Sequence, residues 1–271
     1  MWNSVAPGWE ANAHFVDDQL ALATEALLDA AEIGDGDAVL DLAAGPGGAG
    51  LAAAERVGPT GTVMLSDVAA EMVAVAARRA SDDQRVSTAV FDQSEIAADD
   101  GRFDAVIGRH GLMFVEDPVA AVREAARVLR PGGRYATMTW GPREQNPWLG
   151  LVLDAVGEQF GVPFPPPNIR GPFSLDDTAL LTSVLQDGGL EGVRVQTVAT
   201  PMHAASLEAW WGRVPKLAGP LAIALAGMEP DVREAIAQRA LRAGARASRS
   251  EGGQILFDGS VLIGSGHTPR P

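Results

Sequence analysis

Residues 39–50 read VLDLAAGPGGAG, a short apolar run that breaks into a glycine-rich turn. Gly45, Gly47 and Gly50 form a literal G-x-G-x-x-G, and Asp41 stands four residues before the first of them. Glycines in that pattern let backbone approach a ligand and let the following helix pack closely on the sheet, so the turn alone is weak evidence of function. The strand before it and the helix after it strengthen the case for a bound cofactor, because helix amides at a strand's carboxyl end form a ready crevice.

Outward from this turn, short apolar runs alternate with helical ones: TVMLSD, AAEMVAVAARRA, RVSTAVF, FDAVIG, PVAAVREAARVLR and GRYATMTW. The central runs are apolar on consecutive positions, as expected for parallel strands covered by helices on both faces. This predicts a doubly wound α/β sheet. Asp117-Pro118 opens one helix, RPGG after Leu129 closes it, and Gly58-Pro59 closes an earlier one. Beyond residue 141 the sequence reads as helix (NPWLGLVLDAVGEQFG), proline-rich loop (VPFPPPNIRGPF), helix (DDTALLTSVLQDGG) and strand (LEGVRVQTVAT). Residues 206–247 read as mostly helical, and GQILFDGSVLIGSG as closing strand material.

With 271 residues, 46% of them apolar, the chain has enough material for a real core. The absence of cysteine excludes disulfides and thiolate chemistry. A formal charge of −14 opposes a phosphate backbone, so no nucleic acid partner is expected. The amino terminus has no secretory pattern and the stretch LAGPLAIALAGM is too short to span a bilayer. A cytoplasmic protein without membrane association, monomeric or homodimeric, is the expectation. Four scattered histidines have no metal-ligand spacing, and no metal is expected.

The choice of cofactor turns on Asp41. A dinucleotide would put a doubly charged pyrophosphate beside this carboxylate, whereas S-adenosyl-L-methionine carries an ammonium and a sulfonium and no phosphate. VLDLAAGPGG resembles motif I of the class I S-adenosylmethionine-dependent methyltransferases, with Ala43 in place of the first glycine. VMLSDVAAEM, AVFDQSEI, FDAVIGRHGLMFVEDP and AAVREAARVLRPGGRYATMTW follow in that family's order and resemble its ubiquinone/menaquinone-biosynthesis-like members.

The resemblance implies a strand order 3-2-1-4-5-7-6 with a helical lid, GVRVQTVAT and QILFDGSVLIG forming the antiparallel hairpin. It divides the chain into an N-terminal helical lid (1–36), a cofactor-binding α/β domain (37–202, with a lid insertion at about 143–174), a helical cap (203–250) and a closing strand (251–271). It implies that Asp41, Ala43, Gly45, Pro46 and Gly47 cradle the cofactor's amino-acid end, that Asp67 receives the ribose, and that Val68, Met72, Asp92 and Gln93 surround adenine, with Arg109's carbonyl on the ammonium.

Many relatives carry a histidine pair where this chain has Met113 and Phe114. His110 is then the candidate general base, its alternative being a structural histidine at a strand end, and His14 is a weaker candidate. Trp9, Met113, Trp148, Trp210 and Trp211 are expected to wall a pocket for a small to medium, largely apolar acceptor. The expected activity is methyl transfer to oxygen, carbon or nitrogen. A nicotinamide-dependent oxidoreductase and a non-catalytic S-adenosylmethionine-binding module are the alternatives.

Overall fold

The computed structural model of the chain describes residues 1–270. Two helices, α1 (Trp2–Gln19) and α2 (Ala21–Ala30), lead into β1 (Ala38–Leu42). Then come α3 (Gly48–Arg56), β2 (Thr62–Asp67), α4 (Ala70–Arg79), β3 (Val86–Val90), β4 (Phe103–Arg109), α5 (Pro118–Val128) and β5 (Leu129–Trp140). The second half comprises α6 (Pro147–Phe160), α7 (Thr178–Asp187), β6 (Glu191–Ala199), β7 (Met202–Ala204), α8 (Leu207–Leu217), α9 (Gly219–Ala226) and α10 (Pro230–Ala247). It closes with β8 (Arg249–Glu251), β9 (Gln254–Phe257) and β10 (Ser260–His267).

The main sheet has seven strands in the order β3-β2-β1-β4-β5-β10-β6. Strands β1 to β5 run parallel, and β10 is antiparallel to both β5 and β6. This is the Rossmann-like, doubly wound arrangement expected from the alternating pattern, with β10 as the seventh sheet strand in the chain. Consecutive apolar residues in β1 face opposite sides: Val39 packs with Leu27 and Ala53 beneath α2 and α3, while Leu40 packs with Val122 and Leu185 beneath α5 and α7. A strand buried on both faces needs this apolar run. Helix α5 begins as anticipated, the Asp117 side chain accepting from Ala120 N at 3.0 Å ahead of Pro118.

Three expected boundaries need correction. The segment 254–264 is not one strand: Gln254–Phe257 pairs with β7 and β8 in a separate three-stranded sheet, and only Ser260–His267 enters the main one. The cause lies at Asp258-Gly259, where a Cβ on Gly259 would sit 2.1 Å from the Thr200 carbonyl oxygen and Thr200 N donates to Gly259 O at 2.8 Å. Phe257 is thereby swung into the cap, against Trp210 at a ring separation of 4.9 Å. Met202 also belongs to the cap sheet, so the α/β unit ends with β6. Finally, the lid within 1–36 is α1 alone, because α2 places Leu27 and Leu28, both 0% exposed, in the core under the sheet.

No helix among the described residues is long and apolar enough to cross a membrane.

Candidate active site

The glycine turn divides its labour among its residues. Gly45 and Gly47 have φ of 54° and 88°, in the left-handed region that suits glycine, and Gly47 is the N-cap of α3. Gly50 serves close packing instead: a Cβ there would lie 2.1 Å from Leu65 Cδ2 and 2.8 Å from an Asp41 oxygen. Ala43, where the family has glycine, keeps φ at 53°, and Gly111 makes room for its methyl, since a Cβ at Gly111 would lie 2.4 Å from that of Ala43.

The turn forms one side of a cavity of about 440 Å³ at the carboxyl ends of β1, β2 and β4. Ala43, Gly45 and Pro46 line it, with Asp67, Val68 and Met72 after β2, Asp92 and Gln93 after β3, and Arg109, His110 and Met113 after β4. Trp9 from α1, Trp148 from α6 and Trp210 from α8 close it over. Asp67 is oriented by backbone, Oδ2 accepting from Gly45 N at 3.0 Å and Oδ1 from Ala69 N at 2.9 Å. Burial raises its carboxyl above the ordinary range, and these backbone donors oppose the rise. The Asp92 carboxylate accepts from Ser94 N at 2.8 Å, closing a turn at the rim.

Four expected site residues lie elsewhere. Asp41 is 0% exposed and does not line the cavity; its carboxyl sits beneath the turn against the start of α3. The attraction between this carboxylate and a cofactor cation, used above to choose between cofactors, is therefore not a direct contact. Burial pushes the Asp41 carboxyl up to about 7, against the pull of the Arg109 guanidinium. Gly47 shapes the turn from behind, a Cβ there meeting Leu65 Cδ1 at 3.0 Å. His14 is exposed, because α1 buries Ala13 and Val16 and turns residue 14 outward. Trp211 packs against the cap cluster rather than into the cavity, its neighbour Trp210 taking the inward position.

The Arg109 side chain is anchored, with Nη1 donating to Thr24 Oγ1 at 3.0 Å and Nη2 to Asp17 Oδ1 at 3.1 Å. Asp17 also receives Arg79 Nη2 at 2.6 Å, and Arg79 Nη1 donates to the Pro46 carbonyl at 2.7 Å. His110 is different. It has φ of 62°, its ring stacks on Trp140 at 3.8 Å, and both ring nitrogens are buried without a hydrogen-bond partner. Burial, reinforced by the Arg109 charge, holds its pKa well below the ordinary value, so the ring is neutral at physiological pH.

The cavity also draws in residues that the sequence did not single out as site residues: Trp140 at the end of β5, Phe114 after β4, and Phe15, Gln19 and Arg213 from α1 and α8. Trp140 ends a run that reads as sheet core, and only its place at the carboxyl end of a strand could have marked it. For α1 and α8 the available signal was the helical spacing of apolar residues, which does not say what the buried face covers.

Residues 39–133 match the methyltransferase domain family. The chain is 34% identical over 177 residues to the ubiquinone/menaquinone biosynthesis C-methyltransferase of Cupriavidus pinatubonensis, an alignment covering 60% of this chain and 71% of that protein. It is 38% identical over 116 residues to the chloroplastic 2-phytyl-1,4-beta-naphthoquinone methyltransferase of Arabidopsis thaliana, covering 41% of this chain and 44%, less than half, of the plant protein. The crystal structure of the YcgJ protein from Bacillus subtilis shares the fold at a TM-score of 0.59 with 18% identity, covering 94% of this chain and 99% of that one. The chain belongs to the class I S-adenosylmethionine-dependent methyltransferases of the ubiquinone/menaquinone-biosynthesis type. S-adenosyl-L-methionine is the cofactor of that family, and none of these relatives favours the nicotinamide or non-catalytic alternatives.

Proposed function

We propose that the chain transfers the methyl group of S-adenosyl-L-methionine to a small to medium, largely apolar acceptor enclosed by α1 and the cap. The observation that carries this reading is one cavity with two kinds of wall. Its sheet side offers the Asp67 carboxylate, fixed by Gly45 N and Ala69 N, beside a turn of backbone with little side chain. Its lid side offers Trp9, Trp148 and Trp210, with Trp140 and Met113 between.

The sheet side fits the cofactor. Asp67 would hold the ribose hydroxyls, Val68, Met72, Asp92 and Gln93 would surround the adenine, and Ala43, Gly45 and Pro46 would admit the amino-acid end. When bound, the cofactor supplies a methyl group on a sulfonium, a leaving group that needs no acid. The protein's share is therefore orientation, exclusion of water and management of the acceptor's proton. His110 is suited to the last task, since a neutral imidazole with unsatisfied nitrogens at the cavity wall accepts a proton or hydrogen bond from a hydroxyl or enol. The names of the quinone-methylating relatives favour a planar acceptor, and the stacked and edge-on Trp140, His110 and Trp148 rings favour the same shape.

Calorimetric titration with S-adenosylmethionine tests the assignment of the two halves. Asp67→Ala removes charge-assisted hydrogen bonds to the ribose and is expected to raise Kd about 10- to 150-fold. His110→Gln is expected to leave Kd within about 2-fold, because His110 serves the acceptor. Unchanged affinity in a folded Asp67→Ala variant would move the ribose elsewhere.

A further inference from the structure

Two guanidiniums line the cavity, and only one of them has a carboxylate. Arg109 is held by Asp17 and Thr24. Arg213, on α8, meets no carboxylate among the described residues: its Nε donates to Asn12 Oδ1 at 3.2 Å, and its guanidinium carbon lies 3.6 Å from the centre of the Phe15 ring. Both fixed points are on α1, and they set the plane of the guanidinium while leaving its two terminal nitrogens without a protein acceptor. A guanidinium stacked on an aromatic face presents its fork edge-on, the geometry that receives a carboxylate through two parallel hydrogen bonds.

The surroundings make this arrangement costly unless an anion arrives. Val214, Leu217 and Leu221 share the same wall, and a charge among apolar groups is destabilising without a counter-ion. The chain has a formal charge of −14, with 35 acidic residues from which a partner could have been drawn, yet none is placed at Arg213. The acidic groups that do line the cavity, Asp67, Asp92 and Glu116, come from the loops after β2, β3 and β4, not from α8 or α1.

We infer that Arg213 is the receptor for a carboxylate on the methyl acceptor, so that the substrate class is an apolar, planar acid rather than a neutral apolar molecule. This rests on the methyltransferase reading of the cavity. Trp140, Trp148 and Trp210 hold the apolar body, and Arg213 holds the acid group and with it the orientation of the reacting end.

The test uses 2-naphthoate and its neutral isostere 2-naphthamide, titrated into the whole protein saturated with S-adenosylhomocysteine and read by tryptophan quenching. Wild type is expected to bind the carboxylate about 10-fold or more tightly than the amide, with the preference shrinking as salt is raised. Arg213→Met is expected to abolish the preference while keeping amide affinity within about 2-fold, and Arg213→Lys to keep part of it, as a point charge without the fork. Equal affinities in wild type, or no binding of either ligand, would overturn the assignment. So would a marked loss of S-adenosylhomocysteine affinity in Arg213→Met, which would give the guanidinium to the cofactor's own carboxylate. Wild type that shows the naphthoate preference but does not bind S-adenosylhomocysteine would refute the methyltransferase reading and leave the Arg213 site standing.

Discussion

Asp41 carries a carboxyl into the interior beneath the glycine turn, where desolvation outweighs the favourable field of Arg109 and the folded-state pKa rises from 3.8 to about 7. The consequence for stability has a definite sign. Below the lower value both states hold the proton, and Asp41 contributes no pH dependence. Between the two values the unfolded chain has lost a proton that the folded chain keeps, so stability falls as pH rises, with a limiting slope of about 1.4 kcal/mol per pH unit. Above about 7 both states are ionised and the penalty is constant. Asp41→Asn removes the titration, and its stability relative to wild type is expected to grow from about pH 4 to 7 and then level off. Urea midpoints of the two proteins across that range check it, and parallel curves would mean that Asp41 titrates as an ordinary exposed aspartate. The same residue explains why a sound choice of cofactor can follow from an incomplete picture. Its place four residues before Gly45 was legible as part of a family motif, but the direction of its side chain depends on how closely α3 packs at Gly50, a contact between Gly50, Leu65 and Asp41 that no local pattern encodes.

Helix α1 is tied to the sheet by a single carboxylate. Asp17 accepts from Arg79 on α4 and Arg109 on β4, and Arg79 reaches on to the carbonyl of Pro46 in the glycine turn. Lid, turn and cofactor floor are thus joined through groups that are mostly shielded, Arg109 having 8% side-chain exposure and Asp17 27%. Replacing Asp17 with Ala leaves Arg109 without its counter-charge, and the solvent access of Asp17 limits the expected cost to about 1–2 kcal/mol. The expected signature is local: faster amide hydrogen exchange over residues 2–19, a several-fold weaker hold on S-adenosylmethionine, and unchanged exchange in β1 and β4. Uniformly faster exchange would make the cluster a prop for the whole fold instead. Elements β1 to β5 were readable from sequence because their apolar runs and their caps, such as Asp117-Pro118, are local signals. The latch was not, because Asp17 and Arg109 are far apart in sequence and each alone reads as an ordinary surface charge. The same holds for Gln254–Phe257, whose apolar residues fit either sheet equally well until Gly259 turns the chain at Thr200.

At the scale of the whole molecule, the cap is an insertion at the open end of one hairpin. Strands β6 and β10 meet with Ala199 opposite Ser260, and everything from 201 to 258 leaves and returns between these neighbours. The seven-stranded sheet therefore does not need the cap for its connectivity. The cap does bury one face of α6: Leu149, Val152, Leu153 and Val156 share a cluster with Trp210, Val214, Ile236 and Phe257. Replacing 201–258 with a short turn is thus expected to leave a folded sheet that retains S-adenosylmethionine but exposes a contiguous apolar face on α6. The cap-less protein should bind an apolar dye such as 8-anilinonaphthalene-1-sulfonate and self-associate, and changing Leu149 and Leu153 to Glu should suppress both. It should also lose the 2-naphthoate site, because Arg213 and Trp210 leave with the cap. Calorimetry for the cofactor and size-exclusion chromatography for association separate these effects. If the cap-less chain with the polar α6 face has lost cooperative unfolding, the cap is part of the folding core, and the hairpin cannot close without the packing of Phe257 and Trp210 beside it.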